Sequence, residues 1–328
     1  MTKTMKAWRV HQWGEPETMT LEDVPIPEPS HGQVRIRVHA AALNFFDILQ
    51  VQGKYQIKPP FPFTPGAEVA GIVDAIGPAA PEFQIGEAVI SLTHGGGMAE
   101  YVLGPERMTF PVPKGMDLAT ASAIPVVYQT SYYALKDRAA LHPGEWLLVH
   151  AGASGVGISA IQMGRAWGAH VIATAGSEEK LRFAQENGAH HVINYNDATW
   201  VDQVKQLTNG RGADVIYDPV GGDVFDLSTK CIAPGGRLLE IGFASGRIPS
   251  IAANRILLKN ISIVGAVWGG HVQAHPGYAA ATQNALAEMF EKGQIHPPKP
   301  ATYQLSAAPT ALRDLANRKI LWKAVLEP

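Results

Sequence analysis

Between Trp146 and Ser177 the chain reads WLLVHAGASGVGISAIQMGRAWGAHVIATAGS, and this stretch constrains the fold more than any other. Trp146, Leu147, Leu148 and Val149 form a short apolar run of strand type. Val156, Ala160, Met163 and Trp167 then recur at spacings of four, three and four, which places them on one helical face. Gly152, Gly155 and Gly157 crowd the turn between the two. A strand, a glycine turn and a helix open a βαβ unit, whose first helical turn offers free N–H groups to a phosphate. The order is G-x-x-G-x-G rather than the usual G-x-G-x-x-G, but the needs for a tight turn, close backbone approach and close packing are met. Gly152, Ala153, Ser154, Gly155, Val156 and Gly157 are therefore the candidate pyrophosphate cradle, although glycine clusters also occur in ordinary turns.

The downstream pattern extends this unit. Strands are expected at Trp146–His150, His170–Thr174, His191–Asn194, Asp214–Asp218, Arg237–Ile241 and Ile261–Val267. Helices are expected at 156–167, 177–187, 199–208 and 223–232. Six strands alternating with helices imply an α/β fold with a doubly wound parallel sheet of the dinucleotide-binding kind. Residues 1–122 have another texture. Short segments such as KAWRV, QVRIRVHAAAL, EVAGIVDAIG, GEAVISL and MAEYVLG, bounded by Gly or Pro, suggest a β-rich barrel or sandwich. A helix is expected near 277–292 and a last strand at KAVLEP, the tail returning to the first domain.

Composition narrows the class. The chain has 328 residues, 46% hydrophobic and 17% charged, enough for two domains with buried cores. A net charge of −2 without a basic stripe argues against nucleic acid as a partner. One cysteine, Cys231, cannot form an internal disulfide and fits a reducing compartment. The N-terminus lacks the apolar core of a signal peptide, and no apolar run approaches the roughly 20 residues of a membrane span. The expectation is a cytoplasmic protein that does not enter the membrane.

The second strand bears on which dinucleotide is held. NAD sites place an Asp or Glu there to accept from the ribose hydroxyls. Here the strand ends VIATAGS, with no acidic residue between Gly152 and Ser177. Gly176 and Ser177 offer a turn, a hydroxyl and a helix start, which suit an anion. Lys180 in the first helical turn fits a phosphate contact, or else is a solvated lysine balanced by Glu178 and Glu179. Tyr195 lies beside the adenosine or is an ordinary strand-end tyrosine. These residues favour NADP over NAD. Val220, Gly242, Phe243 and Ala244 follow strands four and five, where an open α/β sheet binds its ligand, or form tight turns without ligand contact.

The segments AALNFFDILQVQGKY, PFTPGAEVAGIVDAIG, GGGMAEYVL, AIPVVYQTSYYAL, VHAGASGVG, NGRGADVIYDPVGGDVF, GGRLLEIGFASG and NRILLKNISIVGAVWG together carry a family resemblance. The chain resembles, over essentially its whole length, the zinc-free quinone oxidoreductases of the medium-chain dehydrogenase/reductase superfamily, in the quinone oxidoreductase-like branch. The resemblance implies a GroES-like catalytic domain of residues 1–122 completed by 266–328, around a Rossmann domain of 123–265. It implies NADPH in the cleft between domains and a homodimer through the edge strand near Ile261–Val267, which would protect an apolar edge. Zinc alcohol dehydrogenases share the scaffold, but this chain has Asn44 where they carry a cysteine and Gly66-Ala67-Glu68 where they carry Gly-His-Glu. The four-cysteine zinc loop has no counterpart, so no metal ligands are expected. His271 and His275 are four apart, but GGHVQAHPG is punctuated by Gly and Pro, which argues against a helix and a ligand pair.

The resemblance further implies that Asn44, Asp47 and Tyr55 flank the substrate cleft. Asn44 would hold the nicotinamide ribose or an acceptor carbonyl, and Asp47 has a structural alternative. Tyr55 would donate to a developing oxyanion or pack on the prolines at 59–62. Gln129 and Thr130 begin the helix leading into the nucleotide domain, where the family places a threonine near the nicotinamide. Two departures stand out. Trp322 replaces the glycine before Lys323, with Arg318 upstream as a phosphate or ribose contact. His94 precedes GGGMAEY, where a solvated loop residue is expected. The function implied is NADPH-dependent quinone reduction by hydride transfer without metal. The alternatives are reduction of an activated alkene, such as an enone or enoyl thioester, and a non-catalytic NADPH-binding structural role.

Overall fold

The computed structural model describes residues 3–80 and 82–328. The chain divides into two compact units, one of Met1–Val126, Gly277–Ala287 and Pro298–Pro328, the other of Val127–Pro276 and Glu288–Pro297. The first begins with an antiparallel ribbon of β1 (Thr4–Arg9) and β2 (Thr20–Pro25). It continues through β3 (Gln33–Ala42), β4 (Glu68–Ile76), β5 (Ala88–Leu92), β6 (Tyr101–Pro105) and β7 (Thr109–Pro111). In β3 the period of two is plain: Val34, Ile36 and Val38 are buried while Gln33, Arg35 and Arg37 turn away. Short helices at Phe45–Val51 and Leu118–Ser122 interrupt this β-rich stretch.

The second unit holds β8 (Trp146–Val149), β9 (His170–Ala175), β10 (His191–Asn194), β11 (Ala213–Asp218), β12 (Ile232–Glu240) and β13 (Ser262–Gly265). They form one parallel sheet in the order β10-β9-β8-β11-β12-β13. The order reverses between β8 and β11, the switch point at which such sheets bind ligands. Its four central helices, Gly155–Ala166, Glu178–Glu186, Trp200–Leu207 and Gly222–Cys231, lie within two residues of expectation. One side of the core joins Leu148, Ile172, Ile216 and Leu238 from four strands to Trp200, Val204 and Phe225. Burial of each such side chain contributes about 1.5–3 kcal/mol.

The tail adds β14 (Ala301–Gln304) and β15 (Ala324–Glu327), separated by a helix at Ala308–Ala316. Val325 pairs with Ala42 and Leu326 with Ala41, so the last strand joins the sheet of the first unit, as the tail was expected to do. That sheet runs β14-β15-β3-β4-β5-β7, with β6 also paired to β3.

Some expectations need correction. β12 starts at Ile232, not Arg237, because Ile232 already pairs with Ala213 before a register shift at Pro234-Gly235-Gly236. β13 is shorter than Ile261–Val267, since Val267 caps a helix at Trp268–Ala274. That helix overturns the reading of GGHVQAHPG as helix-free; Pro276 lies beyond its end. His275 donates its N–H to the His271 carbonyl at 2.9 Å, and the two rings stack at 4.1 Å. Residues 266–276 and 288–297, expected in the catalytic domain, group with the nucleotide-type unit. The His271 ring stacks on Tyr133 at 4.5 Å, and Gln162 bonds both the N–H and the carbonyl of His296. Among the described residues no helix is long and apolar enough to cross a membrane.

Candidate active site

The nucleotide half is built at the carboxyl ends of β8 and β9. After β8 the chain turns through His150 and Ala151, the latter at a left-handed φ of 50°. Ser154 caps the helix Gly155–Ala166, its Oγ accepting the Gly157 N–H at 3.1 Å. The Gly155 and Val156 N–H groups remain as first-turn donors, the arrangement that receives a pyrophosphate. Two of the glycines are required sterically. A Cβ on Gly157 would lie 2.2 Å from the Ala151 carbonyl oxygen, and one on Gly152 would lie 2.9 Å from the Ala173 side chain on β9.

At the end of β9, Gly176 and Ser177 lead into the helix Glu178–Glu186. Ser177 Oγ accepts the Lys180 N–H at 3.4 Å, so the hydroxyl serves as an N-cap. Tyr195 is beside Gly176: a Cβ there would stand 2.5 Å from the tyrosine hydroxyl. Asn196, which the sequence did not single out, donates its amide to the Gly176 carbonyl at 3.0 Å. Lys180 is half-buried, while Glu178 and Glu179 are exposed. The structure thus brings Gly176, Ser177, Lys180 and Tyr195 to one corner.

The loops after β11 and β12 are tied together. Asp218 Oδ1 accepts from Val220 and Gly221, and the N–H groups of Ala244 and Ser245 donate to the Pro219 and Val220 carbonyls. Gly242 has only the Pro219 carbonyl oxygen near its absent Cβ, at 3.6 Å, and Phe243 is partly exposed. Thr130 is half-buried on the helix Pro125–Tyr132, next to Ser131, whose hydroxyl bonds Ser159 and Tyr217.

Sequence reasoning passed over two features here. His150 is buried with Nδ1 on Thr174 and Nε2 on Ser228, and burial lowers its pKa against the pull of Asp218. Asp218 and Glu240 are register partners at the strand ends. Burial, then the charge of Asp218, pushes the Glu240 carboxyl up to about 7. A carboxylate or imidazole closing an apolar strand was the available signal for both.

In the first unit, β3 ends where the helix Phe45–Val51 begins, and Asn44 is its N-cap. Asn44 and Asp47 form a capping box, with Asp47 Oδ2 accepting the Asn44 N–H at 2.7 Å. Asn44 Nδ2 donates to Glu68 Oε1 at 2.8 Å, and its Oδ1 accepts from Lys323 Nζ at 2.7 Å. Lys323 also donates to Glu68 Oε1 at 2.6 Å and to the Leu43 carbonyl at 2.8 Å. Glu68 Oε2 takes the Val126 N–H at 2.8 Å. Every side chain in this knot is at least nine-tenths buried. Burial pushes Asp47 up to about 7; the Asn44 N–H and the Lys323 ammonium pull it down, and Glu68 pushes it up. The buried side chain and the capping box favour the structural alternative for Asp47.

Tyr55 stacks on Phe46, with ring centres 5.5 Å apart, a partner that the proline-packing alternative did not include. Burial and the charge of Asp47 raise its hydroxyl pKa. Trp322 is buried at a left-handed φ of 59°, and Arg318 is exposed at φ 58°, just past the end of a helix. His94 is exposed and lines a shallow recess of about 300 Å³ with Arg9, Phe63 and Thr64. Among the described residues no three His, Cys, Asp or Glu side chains gather as a metal-binding group.

Comparison with known proteins identifies the family. Residues 30–114 match the alcohol dehydrogenase GroES-like domain, and residues 155–287 match the family described as zinc-binding dehydrogenase. A quinone oxidoreductase-like protein 2 homolog from Nematostella vectensis is 38% identical, over 99% of this chain and 89% of its own length. A mycobacterial structure complexed with NADPH superposes with a TM-score of 0.92 at 30% identity, covering 99% of this chain and all of that one. The Escherichia coli quinone oxidoreductase complexed with NADPH gives a TM-score of 0.91 at 26% identity, covering 98% of this chain and 100% of its own. The chain therefore belongs to the medium-chain dehydrogenase/reductase family, in its quinone oxidoreductase-like branch.

Proposed function

We propose that this protein is an NADPH-dependent reductase that passes a hydride to quinone-type acceptors without a metal ion. The acid-free corner at the end of β9 carries the reading. Gly176, Ser177, Lys180 and Tyr195 meet there, and no carboxylate stands where NAD sites accept from the ribose. A 2′-phosphate placed there would meet a helix start that carries Lys180 in its first turn, rather than a like charge. The two similar structures that hold NADPH support the same choice.

When bound, NADPH would supply the hydride. The chain's own residues bind and orient. The Gly152–Gly157 turn would hold the pyrophosphate, and Thr130, Val220 and Gly242–Ala244 would serve the nicotinamide end. Asn44 and Tyr55 offer hydrogen bonds to the acceptor oxygen on which negative charge develops. A reduced quinone oxygen resembles a phenolate, with a pKa of about 10, so a hydrogen bond and a proton from solvent complete the step. Metal-free chemistry is supported by the occupants of positions 44 and 68. The Lys323 ammonium lies 2.7 Å from Asn44 and 2.6 Å from Glu68, and a metal cation there would have to displace it.

Assembly as a homodimer through β13 belongs to the same reading. This strand is at the sheet edge, and Leu257, Leu258 and Val267 nearby are each at least 74% exposed. The test is a panel of 1,4-benzoquinone, 9,10-phenanthrenequinone and a short 2-enone, assayed with NADPH and NADH side by side. The expected result is quinone turnover with NADPH preferred by tenfold or more. Preference for NADH removes the coenzyme assignment, turnover of the enone alone moves the acceptor to activated alkenes, and tight NADPH binding without turnover leaves a structural role.

A further inference from the structure

We infer that Lys323 is a positioning residue that locks the Asn44 carboxamide in one orientation and makes it a one-sided hydrogen-bond donor toward the acceptor oxygen. The inference rests on the proposed reductase reading for the identity of that oxygen. Its own basis is the buried knot, where charges rather than convention decide which way the amide points.

An ammonium has donors only, so the amide atom 2.7 Å from Lys323 Nζ must be the oxygen. An ionised carboxylate accepts only, so the atom 2.8 Å from Glu68 Oε1 must be the nitrogen. The flipped amide would face NH2 to NH3⁺ and oxygen to carboxylate, two repulsive contacts in a water-poor site. Lys323 cannot turn away to relax this arrangement. Its three N–H bonds go to the Leu43 carbonyl, Asn44 Oδ1 and Glu68 Oε1, and it is 3% exposed. Glu68 is held in turn by the Val126 N–H, and the Asn44 backbone by Asp47.

One Nδ2–H of Asn44 is committed to Glu68, which leaves the other as the group it presents. The cation on Oδ1 draws electron density from the amide and so offsets the opposite polarisation by Glu68, which keeps the remaining N–H an effective donor. Asn44 in this state favours a carbonyl or phenolate oxygen over a ligand N–H. The charge of Lys323 thus reaches the acceptor through the amide, without contact.

Two variants test the role. Lys323→Met removes the ammonium and leaves Glu68 buried and unpaired. The double variant Lys323→Met/Glu68→Gln removes both charges and keeps a neutral, hydrogen-bonded interior, so it is the better-folded reference. For the fastest acceptor of the panel, kcat per NADPH-binding site is expected to fall by about tenfold or more in both, with acceptor KM and NADPH Kd within about threefold. The affinity for 4-nitrophenolate, a stable stand-in for the reduced oxygen, is expected to fall about tenfold. A purely structural lysine would lower the melting temperature and the number of NADPH-binding sites but leave kcat per site intact. An unchanged kcat per site or an unchanged phenolate Kd in the double variant overturns the inference, as does failure of the unsubstituted protein to bind the phenolate. If the unsubstituted protein reduces no acceptor, the functional proposal fails and the phenolate measurement decides the role of Lys323 alone.

Discussion

The proposed phosphate corner and the Lys323 knot are built on opposite principles. The corner comes from a contiguous stretch, Trp146 to Asn196, and works through backbone N–H groups, a helix start and the omission of a carboxylate. The knot joins Asn44 to Glu68, 24 positions away, and to Lys323, 279 positions away, and works through buried charge. Dipoles and free N–H groups come with any well-capped helix start, so local sequence suffices to build the corner. A buried ammonium and carboxylate tolerate no missing partner, so the knot forms only when the tail strand docks on β3.

The sharpest way to break this contrast is to remove a charge from the knot. Glu68→Ala leaves the Lys323 ammonium, the Val126 N–H and the Asn44 amide without their acceptor. The expected loss is about 3–5 kcal/mol of stability, read by denaturant titration. A loss under about 1 kcal/mol would mean that the knot contributes no more than a surface pair. In the corner a substitution should change selectivity instead. Ser177→Asp keeps a good N-cap but sets a carboxylate against the 2′-phosphate, so NADPH affinity should fall about tenfold while NADH affinity holds. Fluorescence titration with both coenzymes checks this, and equal weakening of the two would place the phosphate elsewhere.

The smallest expected effect concerns pH. Glu240 is raised from 4.5 to about 7, so the folded protein holds this proton more tightly than the unfolded chain. Stability should therefore fall as pH rises between those values. Glu240→Gln should stabilise at pH 8 by about 1 kcal/mol, a figure discounted for solvent screening, and by little at pH 4.5. Asp47, also raised to about 7, preserves part of the slope in the variant. Melting curves at the two pH values decide; equal shifts at both would show that Glu240 ionises normally.

Much of the nucleotide unit was legible because its signals are periodic and short-range. The run Leu147–Val149, the helix facing it and the glycines between needed no distant partner to be read. Misreadings arose where a distant contact overrode local texture. The helix Trp268–Ala274 contains two glycines and stops before a proline, but the stack of His271 on Tyr133 joins it to residues far upstream. Ile232 reads as the end of a helix until Ala213 is found beside it. His296 follows a helix assigned by its position to the catalytic domain, but Gln162 binds its backbone on both sides.

Residue types at short spacing already set the sheet type, the glycine turn after Val149 and the acid-free second strand, while the family resemblance set Asn44 and Glu68 against the metal ligands of zinc relatives. What those two residues contact emerges only once the chain has folded. Lys323 read as part of a final strand, and nothing within the run KAVLEP says that its ammonium is buried. Docking of that strand beside β3 puts the charge between Asn44 and Glu68, and a buried charge, unlike a periodic pattern, takes its meaning from whatever the fold places within about 3 Å of it.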